Sequence, residues 1–473
     1  MKSFCLLLLA FCLFSCSGSS DPSENKSDNH VSTDTLPKYD SSIEKGKAIP
    51  EIKCLKDSSV NYALYLPKKY SADEKFPVIF FFDSHGGGNF PLEKYKDLAE
   101  KYGYILAGSN NSKNGMSWEQ NEQQIKIFME DVKSKIHVDS RRIYACGFSG
   151  GSRVASSVAI FDGGINCVIG MGAGFPSLSE PIHNRFDYIG FAGNEDFNMN
   201  EMIELSASMD KSPIKHQLIV FNGKHEWAPA EVAEDAFVWL EVNAMRVGLI
   251  SKNDSIIKNF ISKNENELTR LQEKKKIHDV LLICKKVVNY MDGLAEVTQF
   301  KTKIEELNKS DDLTKEIDRQ RNLSKEEMTR QENYRNNFVL KDLSWWTNEI
   351  KKLNKQTNNK NDEGQSQMNK RLLGYLSLLA YMNVSSVLES NQLDLAVSFL
   401  KIYEMVDPKN SEHQYLFAEL YARKNDNAKA LSSLKNALTL GFSDYARMES
   451  DSSLLVLQNN PDFQKILNEM KKK

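Results

Sequence analysis

A surplus of charge of either sign is missing from this chain. Across 473 residues, 61 Lys and Arg stand against 64 Asp and Glu, a formal net charge of -3. Nothing in that balance points to nucleic acid or to an anionic surface, and no nucleic-acid partner is expected. Cysteine is sparse as well: beyond Cys5, Cys12 and Cys16 there are only Cys54, Cys146, Cys167 and Cys284. Cys146 and Cys167 stand in apolar, strand-like runs where a free thiol is an ordinary core residue, so no disulfide framework, metal site or cofactor is expected. The opening apolar run, Phe4 to Phe14, falls short of a membrane span. What is present is core material, 41% apolar and 10% aromatic, enough for more than one core.

With Lys2 ahead of it, that short apolar run reads as a secretory signal. It ends in Leu13-Phe14-Ser15-Cys16, which resembles the bacterial lipobox. The resemblance implies that residues 1–16 comprise a signal peptide and a lipidated Cys16. Each buried acyl methylene would add about 0.8 kcal/mol to membrane attachment. Ser17 gives no argument for inner-membrane retention, so the expected location is the cell envelope, lipid-anchored in the outer membrane of a Gram-negative bacterium. Residues 17–46, rich in Ser, Asp, Lys and Asn, read as a solvated tether.

From 47 to 248, short apolar runs alternate with amphipathic stretches: Val60–Leu66, Val78–Phe82, Tyr104–Ala107, Ile143–Cys146, Cys167–Met171, Tyr188–Phe191 and Leu218–Phe221. This alternation predicts an α/β domain, a doubly wound and mostly parallel sheet with helices on both faces. Beyond Gly248, glycine and proline become scarce and apolar residues recur at helical spacing, as in Trp346, Ile350 and Leu353. The tail is therefore expected to be all-α, divided by the polar stretch Asn354–Ser366 into a helical segment, 249–365, and a second helical part, 366–473. In that part Ala396 and Leu400 recur 34 residues on as Ala430 and Leu434, with Ala418, Tyr421 and Ala437 at small and aromatic positions. The pattern resembles the tetratricopeptide repeat and implies a surface for a protein partner, closed by Leu454, Leu457, Phe463 and Leu467. Every candidate site residue precedes this tail, so the tail is expected to be separable from catalysis.

The chemistry centres on Arg142–Gly151, where a strand runs into Gly147-Phe148-Ser149-Gly150-Gly151 and then into helix-suited sequence. Gly-x-Ser-x-Gly between strand and helix is a nucleophile elbow, its glycines leaving room for a sharp turn against a close-packed helix. Two later strand-like runs end in Gly193-Asn194-Glu195-Asp196 and Asn222-Gly223-Lys224-His225. Ends of parallel strands converge at one sheet edge, so His225 can serve Ser149 as base, with Asp196 or Glu195 as its acid. His137, His183 and His216 fall at the other edge.

These motifs, in the order nucleophile, acid, histidine, resemble the α/β-hydrolase superfamily. Within it, residues 47–248 look most similar to esterases of the polyhydroxybutyrate depolymerase, feruloyl esterase and dienelactone hydrolase-like group. The resemblance favours Asp196 over Glu195. It implies an oxyanion hole from the amide of Gly150 and one from the turn Asp83-Ser84-His85-Gly86-Gly87-Gly88, with Gly87 the first choice and Gly86 the second. The space between Phe175 and Tyr188 is too short for a cap domain, so an open site taking a bulky or polymeric ester is expected, with Asn110, Asn111 and Trp118 as substrate contacts. Ester hydrolysis through an acyl-enzyme is the expected activity. A peptidase of the prolyl oligopeptidase type and a non-catalytic scaffold displaying the repeats are the alternatives.

Overall fold

The computed structural model describes residues 39–178, 181–359 and 361–471. The signal segment, Cys16 and the tether up to residue 38 lie outside the described residues. Eight strands form one sheet: β1 (Ala48–Lys53), β2 (Asn61–Tyr65), β3 (Phe76–Phe82), β4 (Ile105–Ser109), β5 (Val138–Phe148), β6 (Cys167–Met171), β7 (Asp187–Gly193) and β8 (His216–Phe221). Their order is β1-β2-β4-β3-β5-β6-β7-β8. β2 runs antiparallel to both β1 and β4, and every pair from β4 across to β8 is parallel.

The helices between the strands are α1 (Asn89–Tyr102), α2 (Trp118–Lys135), α3 (Gly150–Ser157), α4 (Met199–Met209) and, after β8, α5 (Ala230–Arg246). Side-chain alternation along the strands splits the core in two. Ile79, Phe81, Leu106, Cys146, Ile169 and Phe191 face α1 and α5, while Val78, Phe80, Phe82, Ala107, Ala145 and Val168 face α2, α3 and α4. Both faces of the central strands are thus dry, which is why these strands read as unbroken apolar runs. The four cysteines among the described residues are buried free thiols.

The rest is helical: α6 (Asp254–Glu273), α7 (Ile277–Met291), α8 (Thr298–Asn308), α9 (Asp311–Asn337), α10 (Leu343–Gln356), α11 (Glu363–Glu389), α12 (Leu393–Val406), α13 (Ser411–Arg423), α14 (Asn427–Thr439), α15 (Tyr445–Ser450) and α16 (Pro461–Lys471). The border drawn at Gly248 does not separate two cores. Ile257 and Phe260 of α6, Val287, Tyr290 and Met291 of α7, and Phe300 of α8 belong to the same buried cluster as Trp239 of α5. Tyr290 meets Trp239 edge-on at 5.0 Å and stacks on Phe260 at 4.5 Å. Beneath them Lys286 pairs with buried Asp235 at 3.0 Å. The border at 365/366 falls inside α11, and one cluster joins Trp346, Ile350 and Leu353 of α10 to Leu372, Leu376 and Ala380 of α11 and to Leu400 and Leu420 beyond. The loop expected over Asn354–Ser366 is shorter, because α10 continues to Gln356 and Asp362 caps α11 by accepting from the Gln365 amide.

At the C-terminal end, Ala418, Ala430, Leu434 and Ala437 pack with Leu454, Leu457, Phe463 and Leu467, so a short helix, a 3-10 turn and α16 close the stack. Here Glu419 is buried beside Arg447, 3.0 Å away. Burial pushes its carboxyl up from 4.5 to about 7, with Asp451 adding to the rise and Arg447 opposing it. The folded state therefore prefers the neutral acid. That contribution to stability is complete below about 4.5 and is lost as pH rises through about 7. Melting temperatures of the wild type should accordingly fall between pH 4.5 and pH 8 relative to those of Glu419→Gln, whose side chain does not titrate. Parallel curves for the two proteins would contradict this.

Candidate active site

Ser149 sits between the last residue of β5 and the first of α3, with φ 53° and ψ -122°. For a non-glycine residue this is strained backbone, of a kind that costs about 1–3 kcal/mol and survives only where the surroundings impose it. They do so through glycine. A Cβ on Gly147 would collide with the Gly151 carbonyl, and one on Gly151 with the Phe82 carbonyl at the end of β3. The amide of Ser149 is fixed in turn by the Met171 carbonyl of β6, at 2.8 Å.

The three residues gathered at this sheet edge are in hydrogen-bonding register. Ser149 Oγ lies 3.0 Å from His225 Nε2 and can donate to it, and His225 Nδ1 lies 2.9 Å from Asp196 Oδ1 and can donate in turn. Asp196 is fully buried, and its Oδ1 also accepts from the Asn198 amide at 2.8 Å. Phe148 and Phe197 lie against the imidazole with ring centroids at 4.7 and 4.3 Å, limiting its rotation and its water. Glu195, one residue away, instead turns to Lys370 of α11 at 2.6 Å, which removes it as an acid for His225. His137 stacks on Tyr39, His216 pairs with Asp210 at 3.3 Å and His183 is exposed; none joins the group.

The oxyanion residues need correction. The Gly150 amide, first in α3, donates to no group among the described residues. Gly86 and Gly87, however, spend their amides on Asp83, on its carbonyl at 3.2 Å and its Oδ1 at 3.3 Å, and the His85 amide goes to the same Oδ1 at 2.9 Å. Among the described residues, the amides of Ser84 and Gly88 in this turn have no partner. Phe82, the last paired residue of β3, lies opposite Gly147, so Ser84 emerges at the same sheet edge as Ser149. Asp83 also accepts from Trp227 Nε1 at 3.2 Å, tying this turn to the loop of His225. Burial pushes the Asp83 carboxyl up, but hydrogen bonds from His85, Trp227 and Gly87 outweigh it and hold the group below its ordinary value.

Two of the residues expected to touch substrate have other work. Asn110 donates to the Pro50 carbonyl at 3.0 Å and to Asn61 at 2.8 Å, while Asn111 accepts from the Asn61 amide at 2.8 Å and donates to the Ser59 carbonyl at 3.0 Å. Both pin their loop to β1 and β2. Trp118 opens α2 and packs on Phe161, ring centroids 5.7 Å apart. The residue of this loop that comes up against the elbow is Asn114, beside Gly150. Its side chain occupies the space where a Cβ on Gly150 would go, and its amide donates to the Ser84 carbonyl at 2.9 Å. In the sequence it is one asparagine among several, and nothing but the fold selects it.

No helix or strand forms between β6 and β7 among the described residues. The wall of the site comes instead from the C-terminal helices. Gly374 of α11 lies against Phe197, and Gln331 of α9 donates to the Phe197 carbonyl at 3.4 Å. On the turn after β3, the Asp83 carboxylate raises the affinity of His85 for its proton, against the opposing effect of burial.

No family model matches the chain. No curated protein matches it either. Among solved structures, it is similar to the fluorophosphonate-binding serine hydrolase FphF of Staphylococcus aureus, with TM-score 0.34 and 11% identity over 42% of this chain and 99% of that one. An esterase of the archaeon Pyrobaculum calidifontis aligns with TM-score 0.35 and 12% identity over 42% and 87%. For dipeptidyl peptidase 4 of Porphyromonas gingivalis the values are 0.31 and 14%, over 40% and 34%. On its own strand order and its strand-turn-helix at Ser149, the chain has an α/β-hydrolase fold extended by a long all-helical region.

Proposed function

We propose that this protein is a serine hydrolase that cleaves carboxylic esters through an acyl-enzyme. The observation that carries the reading is the line from strained Ser149 through His225 to buried Asp196, with steps of 3.0 and 2.9 Å. No packing need requires all three together. Ser149 Oγ attacks the ester carbonyl while His225 Nε2 takes its proton, and Asp196 holds the imidazole in the tautomer this needs. The developing oxyanion is held by the amides of Gly150 and Ser84. His225 then gives the proton to the departing alcohol. Water, activated by the same histidine, releases the acid and restores Ser149.

The short connection between β6 and β7, which holds no helix or strand among the described residues, suits a bulky substrate such as an ester on a glycan or other polymer. A lipid anchor at Cys16, placement in the cell envelope and a protein partner on the C-terminal repeats belong to the same reading. Fluorophosphonate labelling of the full chain tests the enzyme: labelling that maps to Ser149 and is lost in Ser149→Ala supports it, and a wild type that stays unlabelled refutes it. Parallel assays on acetyl and feruloyl esters and on peptide anilides separate ester from amide cleavage.

A further inference from the structure

We propose that Arg371, in the helical region, is a positioning residue for the acid of the site, so that α9 and α11 form part of the catalytic centre. The inference rests on the serine hydrolase reading above. Arg371 is buried, and it binds Glu327 of α9 through Nε at 3.0 and 2.9 Å and Nη2 at 2.7 Å. Glu327 is fully buried; burial pushes its carboxyl up, with Arg371 opposing the rise. Such a pair gains little stability over an apolar substitute of equal volume, because desolvating both charges consumes most of their attraction. What distinguishes this one is the remaining arm of the guanidinium. Arg371 Nη1 donates to the Asn194 carbonyl at 2.7 Å, two residues before Asp196.

That loop is tied down at several points, among them the Asp196 amide on the Gly193 carbonyl at 3.0 Å and the Asn198 side chain on the Gly172 carbonyl at 2.8 Å. Its amides at Asn194 and Glu195 donate to Phe221 and Gly223, on the side of the histidine loop. Asp196 Oδ2 has no partner among the described residues and Oδ1 meets only His225 and the Asn198 amide of the same loop, so the aim of the carboxylate depends on the backbone that carries it. Arg371 holds that backbone from the opposite side, and the planar fork clamped by Glu327 leaves Nη1 a single direction. Lys370 on Glu195, Gln331 on the Phe197 carbonyl and Gly374 on the Phe197 ring brace the same loop, and Phe197 lies on His225. Fixing Asn194 therefore steadies the segment that carries the acid.

The test compares the full chain with Glu327→Met/Arg371→Met, which removes both charges and keeps the volume filled, and with Arg371→Lys. The readouts are the fluorophosphonate labelling rate of Ser149, and kcat and KM on p-nitrophenyl acetate. Labelling rate and kcat should fall roughly tenfold or more in the double variant, with the melting temperature maintained and KM little changed, the signature of misaligned acid-base machinery. Arg371→Lys should recover part of the loss. In an Asp196→Asn background the double variant should cost nothing further, because residues acting through one group are not additive. Wild-type rates in a folded double variant would overturn the proposal, as would an equal loss in the Asp196→Asn background. If the double variant does not fold, Arg371→Lys carries the same two comparisons. A wild type that fluorophosphonate fails to label refutes the hydrolase reading itself, a separate result from a labelled enzyme indifferent to Arg371.

Discussion

Replacing Ser149 with Ala is expected to lower ester hydrolysis by several orders of magnitude, on the order of 10⁴-fold or more, while leaving the fold intact. The size follows from the chemistry: without Oγ there is no acyl-enzyme, and His225 and Asp196 have no nucleophile to serve. What remains is whatever the Gly150 and Ser84 amides contribute to direct attack by water. Stability should respond in the other direction. Ser149 holds φ 53° for the sake of its position, so Ser149→Gly, which adopts positive φ without penalty, is expected to melt higher than the wild type by the equivalent of about 1 kcal/mol. Activity assays and thermal melts on the two variants check both halves. Retained turnover in a clean Ser149→Ala preparation would remove Ser149 from the mechanism.

Legibility in the sequence follows the range of the interactions involved. The elbow at Ser149 is written locally, because the glycines that make room for it stand at positions 147 and 151. The loops of Asp196 and His225 are legible for a related reason: their strands, β7 and β8, announce themselves as apolar runs, and strand ends fix the edge at which a loop emerges. β1 went unread, since an antiparallel edge strand with the pattern Ala-Ile-Pro-Glu-Ile-Lys is half solvated and has no apolar run to show. The oxyanion turn misled differently. Gly86 and Gly87 look like free donors in a glycine-rich segment, but Asp83 collects the amides of His85 and Gly87 on its side chain and that of Gly86 on its carbonyl. Asn110 and Asn111 are polar residues on a loop at the right sheet edge, and that same polarity ties the loop to the edge strands. Composition signals a change of surface chemistry at Gly248, where Lys, Glu and Asn take over. It does not register that Ile257, Phe260 and Tyr290 are aimed back at α5. Arg371 is invisible to sequence reasoning for the same cause: its partners lie 44 and 177 residues away.

The second large effect concerns that hidden junction. A chain ending at Gly248 retains all eight strands and Ser149, Asp196 and His225, yet it is expected to aggregate and to lose fluorophosphonate labelling. It would strip α5 of Ile257, Phe260, Val287, Tyr290, Met291 and Phe300, each less than a tenth exposed in the full chain. At roughly 1.5–3 kcal/mol for each buried side chain of this size, their removal takes away on the order of 10 kcal/mol, comparable to the whole stability of an ordinary domain. The loss has a second component that stability alone does not capture. Asp235 would lose its partners Lys286 and Lys263, and the loop of Asp196 would lose the Asn194 contact from Arg371. A chain ending at Ser310 separates the two. It keeps α6, α7 and α8 on the sheet, so it should remain soluble and melt cooperatively, but it lacks α9 and α11 and should label Ser149 slowly. Cooperative melting of the Gly248 chain with labelling at the full-length rate would show that the helices after α5 are a dispensable layer, contrary to the packing of Trp239, Phe260 and Tyr290.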